Sequence, residues 1–184
     1  MFTEREFTYL SDQDFLLTKR EIIDKITQYL SNLESEIKQE IHSSDFEFPD
    51  NTFLKSGKIS KGENFRGLPY LILDYPRLFS SESIFAYRTM MWWGNFFCNT
   101  LHVTGSALTR LPHTIIQSSY PLYIQTHGDQ WDHSLESAQP VERINLQPAL
   151  SSKIDFLKIS QKIPLSEYQN LPMATIHFIR QILN

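Results

Sequence analysis

The densest group of side chains that could do chemistry is the segment HGDQWDH at residues 127–133. His127, Asp129, Asp132 and His133 supply two imidazoles and two carboxylates, which suit zinc, iron or manganese. One hypothesis is therefore a metal-dependent hydrolase that uses this turn. The spacing matches no established metal motif, and a solvated polar turn with its tryptophan packed inward has the same composition.

Other patterns that could support catalysis are incomplete. Cys98 and His102 would be about 13 Å apart along a strand, which is too far for a nucleophile and its base. The segment between Gly57 and Gly62 has the glycine spacing of a phosphate-binding loop, but Glu63 follows where that loop needs lysine. The sequence leaves enzymatic activity undecided, favours a role without catalysis, and predicts no cofactor.

A β-hairpin is predicted over residues 84–103, where two aromatic and β-branched runs flank Gly94-Asn95. A two-residue turn would place Trp93 opposite Phe96. The resulting register makes Tyr87 a neighbour of His102 and puts Arg88 on the same face as Asn99. A single strand running through Gly94 would invalidate these pairings.

This register suggests a binding pocket lined by Trp92, Phe97, Arg88 and Asn99, with apolar walls and few polar anchors. In the alternative interpretation, Arg88 belongs to the core and pairs with a carboxylate, for which Asp74 is the obvious candidate. The residues predicted to bind a ligand are Arg88, Asn99, Trp92, Tyr87, His102, Arg66 and Arg77.

The charges are unevenly distributed along the chain. Residues 1–54 carry 5 basic and 12 acidic side chains, whereas residues 55–110 carry 7 basic and 3 acidic ones. The basic segment either neutralises the acidic helix within the fold or binds an anionic ligand. Its aromatics lie in hydrophobic runs and the net charge is −4, which argues against nucleic-acid binding.

The composition is that of a soluble globular domain, with 41% hydrophobic and 21% charged residues. The 13% aromatic content is high enough to predict exposed rings at a pocket or partner surface. Cys98 is the only cysteine, and the N-terminus has no signal-peptide pattern, which together favour a cytoplasmic location. No apolar run is long enough to predict a membrane span.

The order of elements predicts a single α+β domain over residues 1–184. A long helix is expected over about 12–42, with Ser11 as its N-cap, and a C-terminal helix over about 172–183. A mainly antiparallel sheet of about five to seven strands is expected over about 58–160, with both helices on one face. One strand is predicted to end at Pro76, and another lies over 130–136.

Residues 62–104 include GENFRGLPYLILDYPRLF and IFAYRTMMWWGNFFCNTLHVT. On these residues, the chain resembles an uncharacterised family of small proteins from Bacteroidota-type bacteria. The resemblance implies a bacterial protein and no particular activity.

Three functional hypotheses follow. The first is a non-catalytic cytoplasmic domain that binds a small, anionic ligand or a protein partner. The second is the metal-dependent hydrolase of the 127–133 segment. The third is a structural or assembly protein that forms a homodimer through the long helix or the exposed aromatics.

Overall fold

The computed structural model of the protein describes residues 1–112, 114–147 and 154–183. Within these residues the chain forms a seven-stranded antiparallel sheet in the order β1-β2-β3-β4-β7-β5-β6. The predicted α+β architecture is confirmed. The strands are β1 (Lys58–Phe65), β2 (Leu68–Phe79), β3 (Ile84–Trp92), β4 (Phe96–Thr104), β5 (Ile115–Gln125), β6 (Gln139–Asn145) and β7 (Phe156–Pro164). The helices are α1 (Glu4–Ser11), α2 (Gln13–Ser43) and α3 (Leu171–Leu183), with short 3-10 helices at Gly105–Arg110 and Leu165–Asn170.

The long helix begins one residue later than predicted. Asp12, not Ser11, is the N-cap of α2, because its carboxylate accepts a hydrogen bond from the Phe15 amide at 2.9 Å. Ser11 ends the additional helix α1, which the sequence-based prediction did not include. Helix α1 has its own capping box, formed by Thr3 and Glu6.

Helices α2 and α3 pack on the same face of the sheet, as predicted. Leu30, Leu33, Ile37 and Ile41 of α2 lie in one buried cluster with residues of α3 and the inward side chains of the strands. Their spacing of three and four residues makes a single apolar stripe along the helix. We call this side of the sheet the helix face and the other side the loop face.

The predicted register of the central hairpin is wrong by one residue. Trp92, not Trp93, pairs with Phe96, so the turn has three residues and Gly94 takes a φ of +70° within it. A shift of one residue exchanges the two faces of a strand. Tyr87 therefore pairs with Leu101 instead of neighbouring His102.

The same shift separates the residues of the predicted pocket. Arg88 pairs with Thr100 on the loop face, whereas Asn99 pairs with Thr89 on the helix face. Phe97 lies with Asn99, away from Trp92.

Strand β2 does not end at Pro76 but continues to Phe79. The pairing with β3 shifts between Asp74 and Arg77, and Arg77 then pairs with Ala86. This bulge places Arg77 on the loop face. The strand predicted over 130–136 is also wrong, because these residues form turns in the connection between β5 and β6.

Among the described residues, no helix combines the length and the apolar character needed to cross a membrane.

Candidate ligand-binding site

A row of polar side chains crosses the loop face of the sheet. Strand pairing aligns Asp74, Arg88, Thr100 and Ser160 across four neighbouring strands. The connection between β5 and β6, residues 126–138, contacts this row, and we call it the covering loop. Its side chains and carbonyl groups hydrogen-bond to the strand residues described below.

Arg88 is the centre of this row. Its Nε and Nη2 atoms donate to the two carboxylate oxygens of Asp74 at 2.7 and 2.9 Å. Its Nη1 atom lies 2.7 Å from Nε2 of His133 on the covering loop. Because arginine only donates, His133 accepts through Nε2 and is neutral. Burial, reinforced by the positive charge of Arg88, lowers the pKa of His133 well below its usual value.

His102 forms a second contact between the sheet and the covering loop. Its Nε2 donates to the Gln130 side-chain oxygen at 3.0 Å, and its ring packs edge-on against Trp131. Burial lowers the pKa of His102 to about 4. The cluster therefore contains two neutral histidines at physiological pH.

Lys158 is a buried lysine on β7, with only 2% of its surface exposed. Its ammonium group donates to the Gln125 side-chain oxygen at 3.1 Å and to the Asp132 backbone carbonyl. Burial lowers the pKa of Lys158 to about 8, because the charged form loses hydration that two neutral acceptors only partly replace.

Arg66 forms ion pairs with two acidic residues of the covering loop. From the turn between β1 and β2 it reaches Asp132 at 3.1 Å and Glu136 at 2.5 Å. Asp132 also accepts hydrogen bonds from the amide and hydroxyl of Ser134. Burial opposes ionisation of Asp132, but these hydrogen bonds and the charge of Arg66 outweigh it and lower its pKa.

A pocket of about 460 Å³ lies on the loop face beside the covering loop. Strands β1, β2 and β3 form its floor, and Trp131 of the covering loop forms one wall. Its lining residues are Lys58, Ser60, Tyr70, Ile72, Asp74, Arg77, Phe79, Arg88 and Trp131.

The pocket has more positive than negative charge. Of its three cationic residues, Arg88 is neutralised by Asp74, whereas Lys58 and Arg77 form no ion pair among the described residues. The guanidinium of Arg77 packs over the Phe53 ring at 4.6 Å. Its buried Nε atom has no hydrogen-bond partner in the described part of the chain. A buried donor of this kind is costly unless something accepts its hydrogen bond.

The residues predicted to bind a ligand are thus divided among several places. Arg88 and Arg77 line the pocket, and His102 lies on the same face under the covering loop. Tyr87 and Asn99 are buried on the helix face, where both contact Thr175 of α3.

Trp92 and Arg66 lie outside the lining. Trp92 belongs to a small apolar cluster with Ile72, Met90, Phe96 and Cys98 next to the pocket. Arg66 is engaged in its ion pairs with Asp132 and Glu136 of the covering loop.

The metal hypothesis is not supported by the geometry. Among the residues that the structure describes, no three His, Cys, Asp or Glu side chains are grouped so that they could hold a metal ion. His133 faces Arg88, Asp129 caps the Trp131 amide, and His127 is exposed. Trp131 is 48% exposed rather than packed inward.

Sequence reasoning missed Lys58, Tyr70 and Trp131 as pocket residues and Lys158 as part of the buried cluster. Lys158 carried no signal, since the alternation of Leu157 and Ile159 predicts that the residue between them faces away from the helix-covered core, and its burial comes from the covering loop. The pocket residues carried none, because they come from separate strands and a distant loop.

Comparisons of the chain with protein-family models, with curated proteins and with solved structures find no match.

Proposed function

We propose that the protein is a non-catalytic binding domain whose loop-face pocket takes a small anionic ligand with an apolar or aromatic part. The observation that carries this proposal is the Arg77 guanidinium, a pocket-lining cation that has no ion-pair partner among the described residues and whose buried Nε lacks a hydrogen-bond acceptor there. A carboxylate or phosphate group in the pocket would pair with this cation through charge-assisted hydrogen bonds.

The rest of the lining supports the same ligand chemistry. Lys58 adds a second cation, and Tyr70, Phe79 and Trp131 provide ring surfaces for an apolar part. Arg88 is a positioning residue in this account, because its nitrogens are already engaged by Asp74 and His133. Phe79 and Trp131 are 6.3 Å apart between ring centroids, so the wall is a paired aromatic surface.

The cavity volume matches that of a small-molecule site. At about 460 Å³ the pocket lies toward the lower end of the range for ligand sites, which is roughly 300–1,000 Å³. Phenyl phosphate is a suitable probe, because it combines one ring with one anionic group.

Isothermal titration calorimetry with phenyl phosphate tests the proposal, with benzyl alcohol as the neutral analogue. We expect the phosphate ester to bind and the alcohol to bind at least tenfold more weakly. Arg77→Gln removes a hydrogen bond to a charged group, worth about 1.5–3 kcal/mol, and should weaken binding at least tenfold. Equal binding of the two probes, or unchanged affinity in Arg77→Gln, would contradict the proposal.

Lys58 and Lys61 provide a matched pair of variants on β1. They are three residues apart, so their side chains lie on opposite faces of the sheet. Lys58→Gln should weaken binding of phenyl phosphate about two- to fivefold, as expected for an exposed charge. Lys61→Gln should leave the affinity unchanged.

A cytoplasmic location in a bacterial cell is part of the proposal, since Cys98 is buried and unpaired. Cell fractionation tests it, and recovery of the chain outside the cytoplasm would contradict it.

A further inference from the structure

The apolar stripe of α2 continues beyond the part of the helix that packs on the sheet. From Leu30 toward the N-terminus it runs through Ile26, Ile23 and Leu16 at the same spacing of three, four and seven residues. Ile23 and Ile26 are half-buried at the margin of the core, and Leu16 is exposed. The first turns of α2 therefore present an apolar side that the described part of the chain does not cover.

Helix α1 extends this uncovered surface. It has eight residues and none of them is buried. Helices of this length are not stable by themselves in water, so an ordered α1 needs a packing partner. The contact of Tyr9 with Phe15, at 5.6 Å between ring centroids, joins α1 to α2. We call residues 2–17 the N-terminal arm.

The exposed apolar area of the arm is close to what a dimer needs. Six of its side chains are between 46% and 62% exposed, namely Phe7, Tyr9, Leu10, Phe15, Leu16 and Leu17. With about 200 Å² for a whole aromatic side chain and somewhat less for leucine, they expose on the order of 600 Å². A stable interface buries about 800 Å² per partner.

An apolar groove of about 340 Å³ lies beside the middle of α2. It is lined by Lys25, Ile26, Tyr29, Met91, Phe97, Leu165 and Tyr168. The arm of the same chain cannot fill it, because Phe15 precedes Ile26 by about 16 Å along one continuous helix. A second chain that runs in the opposite direction can bring its arm to this groove.

We infer that the protein forms a two-fold symmetric homodimer in which the N-terminal arm of each copy packs on the α2 groove of the other. This arrangement covers both uncovered apolar surfaces with a single reciprocal contact. Asp12 and Asp14 of the arm also complement Lys25 at the rim of the groove. A membrane surface suits the arm less well, because residues 2–25 carry six acidic and four basic side chains.

Sedimentation velocity of the full chain tests the inference. We expect a species of twice the 21.6 kDa chain mass at about 100 µM protein. Leu16→Glu in the arm and Tyr168→Glu at the groove should each raise the dimer dissociation constant at least tenfold. Met173→Glu is the matched control, because Met173 is an exposed apolar residue of α3 outside both surfaces.

Circular dichroism and thermal unfolding of each variant establish that the sheet is intact. A wild-type monomer at this concentration would overturn the inference, and so would a folded Leu16→Glu variant that dimerises as strongly as the wild type. A monomer that sediments with anionic lipid vesicles would overturn it in favour of a membrane surface.

Discussion

The pair formed by Arg88 and Asp74 permits a sharp prediction about the site. Its side chains are only 15% and 8% exposed, and two parallel hydrogen bonds join them. Removing one partner of a buried pair costs about 3–5 kcal/mol, because the other charge stays buried without compensation. Arg88 keeps its contact with His133, so we expect the lower end of this range for Asp74→Asn.

A double-mutant cycle measures the coupling energy between Asp74 and Arg88. Asp74→Asn and Arg88→Met should each lower the free energy of unfolding by about 3 kcal/mol. The double variant should lose about 3 kcal/mol in total instead of about 6, because neither unpaired charge is left. The expected coupling energy is therefore about 3 kcal/mol.

Urea unfolding followed by circular dichroism measures each free energy. Arg180→Met is the control, since the Arg180 side chain is 58% exposed and the loss of its ion pair with Glu40 should lower the free energy of unfolding much less than the loss of the buried pair. Strictly additive losses in the double variant would refute the claim that the two charges are buried against each other. Losses below about 0.5 kcal/mol for the single variants would show that water already solvates both groups.

Three further predictions concern the buried cluster and one glycine. Lys158 has a lowered pKa of about 8, so between pH 8 and 10.5 the unfolded chain binds more protons than the folded chain. The free energy of unfolding of the wild type should therefore rise over this range by up to about 3 kcal/mol relative to Lys158→Met. Profiles of unfolding free energy against pH that run parallel for the wild type and this variant would contradict the prediction. His102 and His133 have lowered pKa values, so the unfolded chain binds more protons than the folded chain as pH falls from about 6.5 toward 4, and the free energy of unfolding should fall. His102→Gln should reduce this loss of stability in acid unfolding. An unchanged loss in the variant would contradict the role of His102 burial. Gly105→Ala should cost about 2–4 kcal/mol in urea unfolding, since φ is +58° and the new Cβ would overlap a backbone carbonyl. Gly67→Ala is the control, because Gly67 also has a positive φ but has no atom within 4 Å of the added Cβ. Equal losses of unfolding free energy in the two variants would mean that the backbone conformation alone causes the effect.

Much of the fold could be predicted because it depends on local patterns. The period of α2, the alternation of β7 and the glycine turn between β3 and β4 are visible in short windows. The register of the central hairpin was not predictable in this way. Strands β3 and β4 are buried on both faces, so their hydrophobic pattern does not show which face a side chain takes.

The candidate site could be predicted only in part, because most of its contacts join residues that are far apart in sequence. Arg88 and its partner Asp74 lie on neighbouring strands, so the sequence could suggest their contact. The covering loop meets the sheet through contacts between residues far apart in sequence, such as His133 with Arg88 and Asp132 with Lys158. No local pattern specifies these contacts.

The bulge after Asp74 also determines which side chains line the pocket. It moves Arg77 onto the loop face, where the alternation of a regular strand would not put it.

The most direct test of the proposed binding function is an NMR titration that observes arginine Nε–H groups while phenyl phosphate is added. We expect the Arg77 Nε–H signal to move and to saturate as the ligand is added. The Arg180 Nε–H signal should stay in place, because that group already donates to Glu40. An unchanged Arg77 signal, or equal movement of both signals, would contradict the assignment of the pocket as an anion-binding site.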